Sequence, residues 1–517
     1  MLKFQVFDDG SPAASFVLRN AHLLGADNIG VRSTISFEDG LITCEKRAVG
    51  PAALALQFPC GDVGELTCQT CLLPERDEPY LLSLELARHR LMLLLAKQED
   101  WMMFDLPTDH PAMRRATLAR QLFVRALNAM DDRAQADRLS GDCLAVAVDA
   151  SEELALAHAE MLFARRRQAG QFHRGVFGCG VSLNHNSEKV RTTLLNSFDY
   201  LALPMRWRQI EPEEQQFNFK PIDNWAEWAY RNRMPILAGP VVSFDPACSP
   251  GWLTVMEHEY EDIRDIFYEH VERVVNRYRT VVTLWNVVSG VHTNAQLNLT
   301  LEQLMDLTRM AVMLVKKIQP NAKTLVEICQ PFGEYYAVNQ RSIPPFIYAD
   351  MILQAGIPID AFGVKLLMGR AHSGEYARDL MQVSAMLDRF SGLGKPVHVT
   401  GVAVPSEPIE LGPDALAANG RAVGTPDNPP DSNCGYWRKP WSALVQTHWL
   451  EAFYHVALSK PFVDSVAWLD IADHPDVDLP HGGLVQASMK AKGAFHRVTQ
   501  FRKSLHAATA AARNATT

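Results

Sequence analysis

Long apolar runs are missing from this sequence. No uncharged stretch reaches the ~18–20 residues that a membrane-spanning helix requires, which argues against a helical membrane protein. An excess of positive charge is missing too. With 50 Lys and Arg against 59 Asp and Glu, the net charge is -9. Such a balance gives no electrostatic footprint for nucleic acid or for an anionic membrane surface. Nor is there a disulfide framework: the nine cysteines are odd in number and scattered, as in a reducing compartment. One close pair stands out, Cys68-Gln69-Thr70-Cys71, with Cys60 and Cys44 upstream. A structural zinc site uses four ligands, usually as two close pairs. One pair is absent here and no His lies among these cysteines, so they are expected to be small buried hydrophobes in strands, with no metal. Met1–Asp9 shows no basic n-region, apolar core or small-residue cleavage site, and the expected location is the cytoplasm.

What is present is the profile of a folded chain. Hydrophobic residues make up 47% and charged residues 21% of 517, enough for two or three cores. Residues 1–75 alternate in short runs such as "STISFEDGLITCEK" and "AALALQFPC", punctuated by Gly, Asp and Pro. Period-2 apolarity of this kind predicts a small β-sandwich; such modules often bind sugars, but packing against a neighbour is the favoured role. Residues 76–171 change to helical periodicity and are expected to be a connector with solvated faces. Asp149-Ala150-Ser151-Glu152-Glu153 there resembles a helix N-cap with an acidic first turn.

From residue 172 short apolar strands alternate with longer amphipathic helices. "GVFGCGVS", "FDYLALP", "PILAGPVV", "VVTLWNVVSG", "KTLVEIC", "DAFGVKLLM", "PVHVTGV" and "DSVAWLDIA" supply eight strand candidates. Their number and spacing predict an α/β fold, a (β/α)8 TIM barrel over residues 172–503, preceded by the sandwich and the helical connector. Residues 504–517 are expected to form a disordered tail. In such barrels chemistry gathers where strands end, so those ends carry the functional question.

The strand ends resemble glycoside hydrolase family 10, the endo-1,4-β-xylanase family, in order and phrasing. "FDYLALPMRWRQIEPEEQQFNF" is similar to the family's second-strand segment, and "LWNVVSG" to its fourth-strand "WDVVNE". "IDAFGVKLLM" resembles the sixth-strand "IDGVGFQSH", and "GKPVHVTGVAV" the seventh-strand "PVHITELDI". "PFVDSVAWLDIADH" resembles the eighth strand, and "GLVQASMKAKGAFHRV" the closing helix. The family's retaining mechanism needs two carboxyls ~5–5.5 Å apart, one protonating the leaving oxygen and one attacking the anomeric carbon. The resemblance places the acid/base at Gly290 and the nucleophile at Gly401, where neither role has a carboxylate. Sugar-binding positions change with them: Ser289, Leu203, Arg206, Gly239, Lys365 and Leu367 stand where the family has other polar groups, while Trp468 is kept.

Ionisable residues still crowd the predicted strand ends. Glu327 and Glu334 follow the fifth strand, and Asp470, Asp473 and His474 follow the eighth. Glu327 and Asp473 are the candidates for a relocated catalytic pair, tuned by burial and by Lys365. Arg206, Lys365 and Trp468 are candidates for ligand binding. So are Trp437 and Trp441, from a Pro/Gly/Asp-rich insertion over residues 424–441 that could form a lid or a packed crossing loop. The Asp/His-rich segment "DIADHPDVDLPHGG" is expected to be a polar loop held by its prolines. The resemblance implies carbohydrate as the ligand class; no cofactor, nucleic acid or membrane is implied, and the oligomeric state is open.

Three functions stay in play: a degenerate barrel used for ligand binding or assembly, an active carbohydrate hydrolase with relocated carboxylates, and a non-catalytic carbohydrate-binding protein. Mouth geometry distinguishes them. An open groove lined by Trp468, Trp437 and Trp441 favours sugar, whereas a mouth plugged by side chains favours scaffolding.

Overall fold

Short strands fill the N-terminal region: β1 (Leu2–Gln5), β2 (Phe7–Asp8), β3 (Ser11–Pro12), β4 (His22–Leu24), β5 (Gly30–Val31), β6 (Ser33–Glu38), β7 (Leu41–Lys46), β8 (Ala53–Pro59), β9 (Gly64–Gln69) and β10 (Tyr80–Leu81). The structure, a computed structural model, describes residues 1–255, 259–409 and 433–516. The hairpin β6–β7 turns on Asp39-Gly40, both at positive φ (47° and 77°). That is the Asp-Gly signal of a two-residue hairpin loop whose twist matches its strands. One sheet has the order β10-β1-β7-β6. The other runs β9-β8-β4-β5 and gains an outer strand from far along the chain, β19 (Tyr436–Trp437). Cys44, Cys60 and Cys68 are buried free thiols within this region. Among the described residues no cluster of His, Cys, Asp and Glu could hold a metal ion.

Three helices follow: α1 (Leu82–Asp100), α2 (Pro111–Asn128) and α3 (Arg133–Gln168). The last corrects the expected helix start at Asp149. The chain is already helical from Arg133, where the Asp132 carboxylate accepts from the Gln135 amide at 3.1 Å. The segment "CLAVAVDASEELALA" contains no breaker, so the helix runs through it. It is not a solvated connector either. Ser140, Leu144, Ala147, Ser151 and Glu152 are buried, and α3 packs against the helix Ala443–Ser459 on the barrel's outer face.

The barrel strands are β11 (Phe177–Gly180), β12 (Tyr200–Leu203), β13 (Ile236–Ala238), β15 (Leu284–Ser289), β16 (Lys323–Ile328), β17 (Ala361–Leu367), β18 (Val397–Ala403) and β20 (Val463–Trp468), with a short β14 (Val242–Ser243) beside β15. All pair in parallel, β13 joins β15, and β20 returns to β11, which closes an eight-stranded barrel. Near-continuous apolar burial explains the strand sequences, because parallel strands covered by helices face core on both sides. The outer helices start on ordinary caps: Thr300 and Gln303 form a capping box, and Asp379 caps Leu380–Asp388. The final helix, Gly493–Thr516, runs through the stretch expected to be a disordered tail, with Leu505 only 2% exposed. Its Ala-rich sequence has high helix propensity, and Leu505 gives it an anchor. No described helix is long and apolar enough to cross a membrane.

Candidate active site at the barrel mouth

The C-terminal strand ends enclose a cavity of about 90 Å3, well above the ~10–15 Å3 that one water requires. Glu327, Lys365, Gly401 and Asp470 reach it from β16, β17, β18 and the end of β20; Arg206 follows β12. Irregularities in pairing set their directions. Between β15 and β16 the register slips at Asn286/Val288, leaving Ser289 opposite Glu327. Between β17 and β18 it slips at Val364/Lys365, leaving Lys365 opposite Gly401. Bulges of this kind re-aim side chains at strand ends.

Glu327 is buried and fully engaged as an acceptor. Asn286 Nδ2 donates to one carboxylate oxygen at 2.8 Å and Ser289 Oγ to the other at 2.5 Å. Across the mouth, Asp478 bridges two cations, taking Arg206 Nη2 at 2.7 Å and Lys365 Nζ at 3.1 Å. Its backbone carbonyl also accepts from Arg370 Nη1 at 3.0 Å. Burial alone would raise the Asp478 carboxyl, but Lys365 and Arg206 hold it far below the usual carboxylate range. Burial likewise opposes the Lys365 charge, yet Asp478 and Asp245 keep that ammonium above its ordinary value. Asp470 has the opposite fate: burial, reinforced by the neighbouring Asp478 charge, pushes it up to about 8. The mouth therefore sets Glu327, held by two donors, and Asp478, held by two cations, beside Asp470, whose carboxyl is raised to about 8.

The structure brings together only part of the predicted site. Arg206, Lys365 and Glu327 meet in the cavity, and Asp470 joins them. Asp473 does not: its carboxylate is turned outward onto Lys492 Nζ at 2.7 Å and the Gly483 amide at 2.9 Å. Of the two carboxyl groups expected as a pair only Glu327 lines the cavity, and Asp470 is beside it in place of Asp473, because the chain turns at Ala472 to bridge Val485. Trp468 is buried, with its indole NH donating to the Gly482 carbonyl at 2.8 Å, and is not among the cavity-lining residues. Trp437 and Trp441 lie elsewhere altogether. β19 pairs with β9, Trp437 donates to Glu152 at 2.7 Å and Trp441 to the Gly435 carbonyl at 3.1 Å. Both indoles found buried acceptors, so this segment is a packed crossing; residues 424–432 of the predicted insertion lie outside the described residues. Glu334 is buried against Arg378 and His292 is enclosed beside Tyr348, neither lining the cavity.

Gly290 stands at φ +67° and opens the turn Val291–Thr293; a β-carbon there would lie 3.2 Å from Cys329 Sγ. Gly401 lies within β18, where a β-carbon would meet Leu469 Cδ1 at 2.9 Å and Lys365 Cγ at 3.7 Å. The residue that sequence reasoning missed is Asp478. It sits in the Asp/His-rich loop after β20, but nothing in that loop's composition marks which of its aspartates folds back into the mouth.

A closed parallel barrel with its ionisable groups gathered at the strand ends defines the class: a (β/α)8 barrel with its candidate site at the C-terminal face. Residues 169–411, a little under half of the chain, match the family model described as glycosyl hydrolase family 10. The chain is 26% identical over 204 residues to endo-1,4-beta-xylanase B of Thermotoga neapolitana, covering 38% of this chain and 55% of the relative. It is 23% identical over 228 residues to endo-1,4-beta-xylanase A of Caldicellulosiruptor saccharolyticus, covering 41% and 62%. The matched part of the chain thus spans a little over half of these relatives' length. Among solved structures, native xylanase 10B of Thermotoga maritima aligns with TM-score 0.46 and 16% identity, covering 66% of this chain and 98% of that one. An endoxylanase from a sugarcane soil metagenome aligns with TM-score 0.48 and 14% identity, covering 65% and 98%.

Proposed function

We propose that this family 10-type barrel has given up xylanase-type retaining hydrolysis and uses its mouth to bind a small polar ligand of the carbohydrate class. The observation that carries this reading is the Arg206–Asp478–Lys365 bridge. It lies across a mouth lined by Gly401, the position that resembles the family's nucleophile, while Gly290, which resembles the acid/base position, closes β15 just outside the lining. Hydrogen can neither transfer a proton to the leaving oxygen nor form a glycosyl ester. The small cavity and its fixed charges suit hydroxyl or carboxylate groups of a compact ligand better than a polymer chain. Pure protein is expected to release no reducing sugar from xylan and no phenol from aryl xylosides. Turnover of either would overturn the proposal. Calorimetry with xylose and xylobiose tests the binding half, and Lys365→Met should abolish whatever heat is seen.

A second reading is favoured by one specific observation, the contrast between Glu327 and Asp470. A donor-held carboxylate and a protonated carboxyl in one cavity supply a relocated base and acid. On this reading some compact glycoside outside the xylan class is hydrolysed, and Glu327→Gln or Asp470→Asn each lowers kcat by ~100-fold or more while the fold is kept. A broad glycoside panel with no turnover eliminates it.

A further inference from the structure

A second cavity, of about 160 Å3, lies away from the mouth, where the sheet β5-β4-β8-β9, helix α1 and the barrel helix Leu380–Asp388 meet the loop after β16. Three guanidinium groups line it, from Arg90, Arg378 and Arg389, with the rings of Phe332 and Phe346. No carboxylate is among its described lining residues. Two of the cations are matched from behind the wall. Arg90 Nη2 donates to Asp379 at 2.6 Å, and Arg378 pairs with Glu334. Arg389 is not matched: it makes no ion pair within 4.0 Å among the described residues. Its guanidinium stacks 3.7 Å from the Phe346 centroid, and that of Arg378 lies 4.0 Å from the Phe332 centroid. Burial lowers the Arg389 guanidinium below its ordinary value, with Asp27 the opposing charge. His22 and His89 complete the polar wall; burial lowers both imidazoles, His89 down to about 4.

From this geometry we infer a binding site for a small aromatic carboxylate, with its carboxylate on Arg389 and its ring against Phe332 and Phe346. Three physical arguments converge. A planar guanidinium fork matches a carboxylate bidentately, and an unpaired one half-withdrawn from water gains most from it. Aromatic walls favour a flat ring by stacking as well as by area. Size agrees, because a cavity of ~150 Å3 lined by apolar side chains admits benzene. Room for a ring substituent exists too: an adjoining cavity of about 130 Å3 shares Asn28, Phe332, Phe346 and Arg389 with the first. Asp27 lines that outer part and not the inner pocket, and its charge reaches Arg389 from the outer side.

The site is distinct from the barrel mouth and independent of what the mouth does. Calorimetry on the full chain with benzoate is the test, with benzyl alcohol and inorganic phosphate as comparison probes. The expected result is one benzoate per chain, and at least about tenfold weaker binding of benzyl alcohol and phosphate. Arg389→Gln should weaken benzoate about tenfold. Arg389 makes no ion pair among the described residues, so this variant should melt close to the parent; Phe346→Leu provides a second probe and should also weaken benzoate. Lys365→Met should leave benzoate binding unchanged, which separates this site from the cations of the mouth. No heat with benzoate up to about 10 mM, equal affinity in Arg389→Gln, tighter binding of phosphate than of benzoate, or dependence on Lys365 in place of Arg389 would each overturn the assignment.

Discussion

Asp470 and Gly290 show how much single residues decide at the strand ends. The Asp470 carboxyl is raised from 3.8 to about 8 by burial and by Asp478. In the folded chain it keeps a proton that the unfolded chain has already lost, so the folded state binds more protons between those two values. Stability from this group therefore falls as pH rises through that window, at up to ~1.4 kcal/mol per pH unit. Asp470→Asn removes the penalty. Urea unfolding should show the variant gaining on the parent between about pH 5 and pH 8, and a pH-independent difference would contradict the protonated assignment. Gly290 is held in the left-handed region at φ +67°. Gly290→Ala should cost ~1–2 kcal/mol in the same measurement, whereas the extended Gly401 carries no such backbone penalty. At this scale the sequence was partly legible. Glu327, Lys365 and Arg206 announce themselves as ionisable groups at strand ends. Asp478 does not, because its role depends on where a loop folds back, and Asp473 is diverted by Lys492, which lies 19 residues further along the chain.

At the scale of elements, periodicity identified the barrel strands because each is a short apolar run bounded by turn residues. Periodicity failed where a tertiary partner changed the meaning of a charge. Asp149 and Glu152 look like the start of a helix, yet they are mid-helix acids on α3 that hold Arg438, at 2.6 Å in both cases. Arg438 follows β19, so this contact fastens the crossing segment over both the sheet and α3. Glu152 is fully buried and Arg438 is 31% exposed. Removing the cation strands a buried carboxylate, and Arg438→Ala should cost about 2–3 kcal/mol, less than the ~3–5 of a fully buried pair. Thermal unfolding monitored by far-UV circular dichroism measures it. The same crossing explains why Trp437 and Trp441 are not sugar platforms: indole NH groups placed against Glu152 and the Gly435 carbonyl are structural donors.

Across the whole molecule, the N-terminal sheets, the three helices and the barrel are bound by contacts between residues hundreds apart in sequence. The Thr67 amide donates to the Ala377 carbonyl at 2.9 Å, Asn20 to Glu334 at 2.9 Å, and Arg90 is buried against Asp379. α3 covers a barrel helix that would otherwise show an apolar face to water. Residues 172–517 alone are therefore expected to aggregate or to melt far below the full chain. The full chain should unfold in one transition by both near- and far-UV circular dichroism; two separated transitions would show that the parts are independent. The sequence by itself determined the barrel strands, because apolar period and turn chemistry are local properties. It also determined that neither Gly290 nor Gly401 carries a carboxylate, since no packing supplies one at a glycine. Only the tertiary structure decided which charges occupy the mouth, that the aromatic crossing belongs to the N-terminal sheet, and that a cationic cavity lies between sheet and barrel. Each of these depends on distant residues meeting, and burial and electrostatic pairing are settled only when they do.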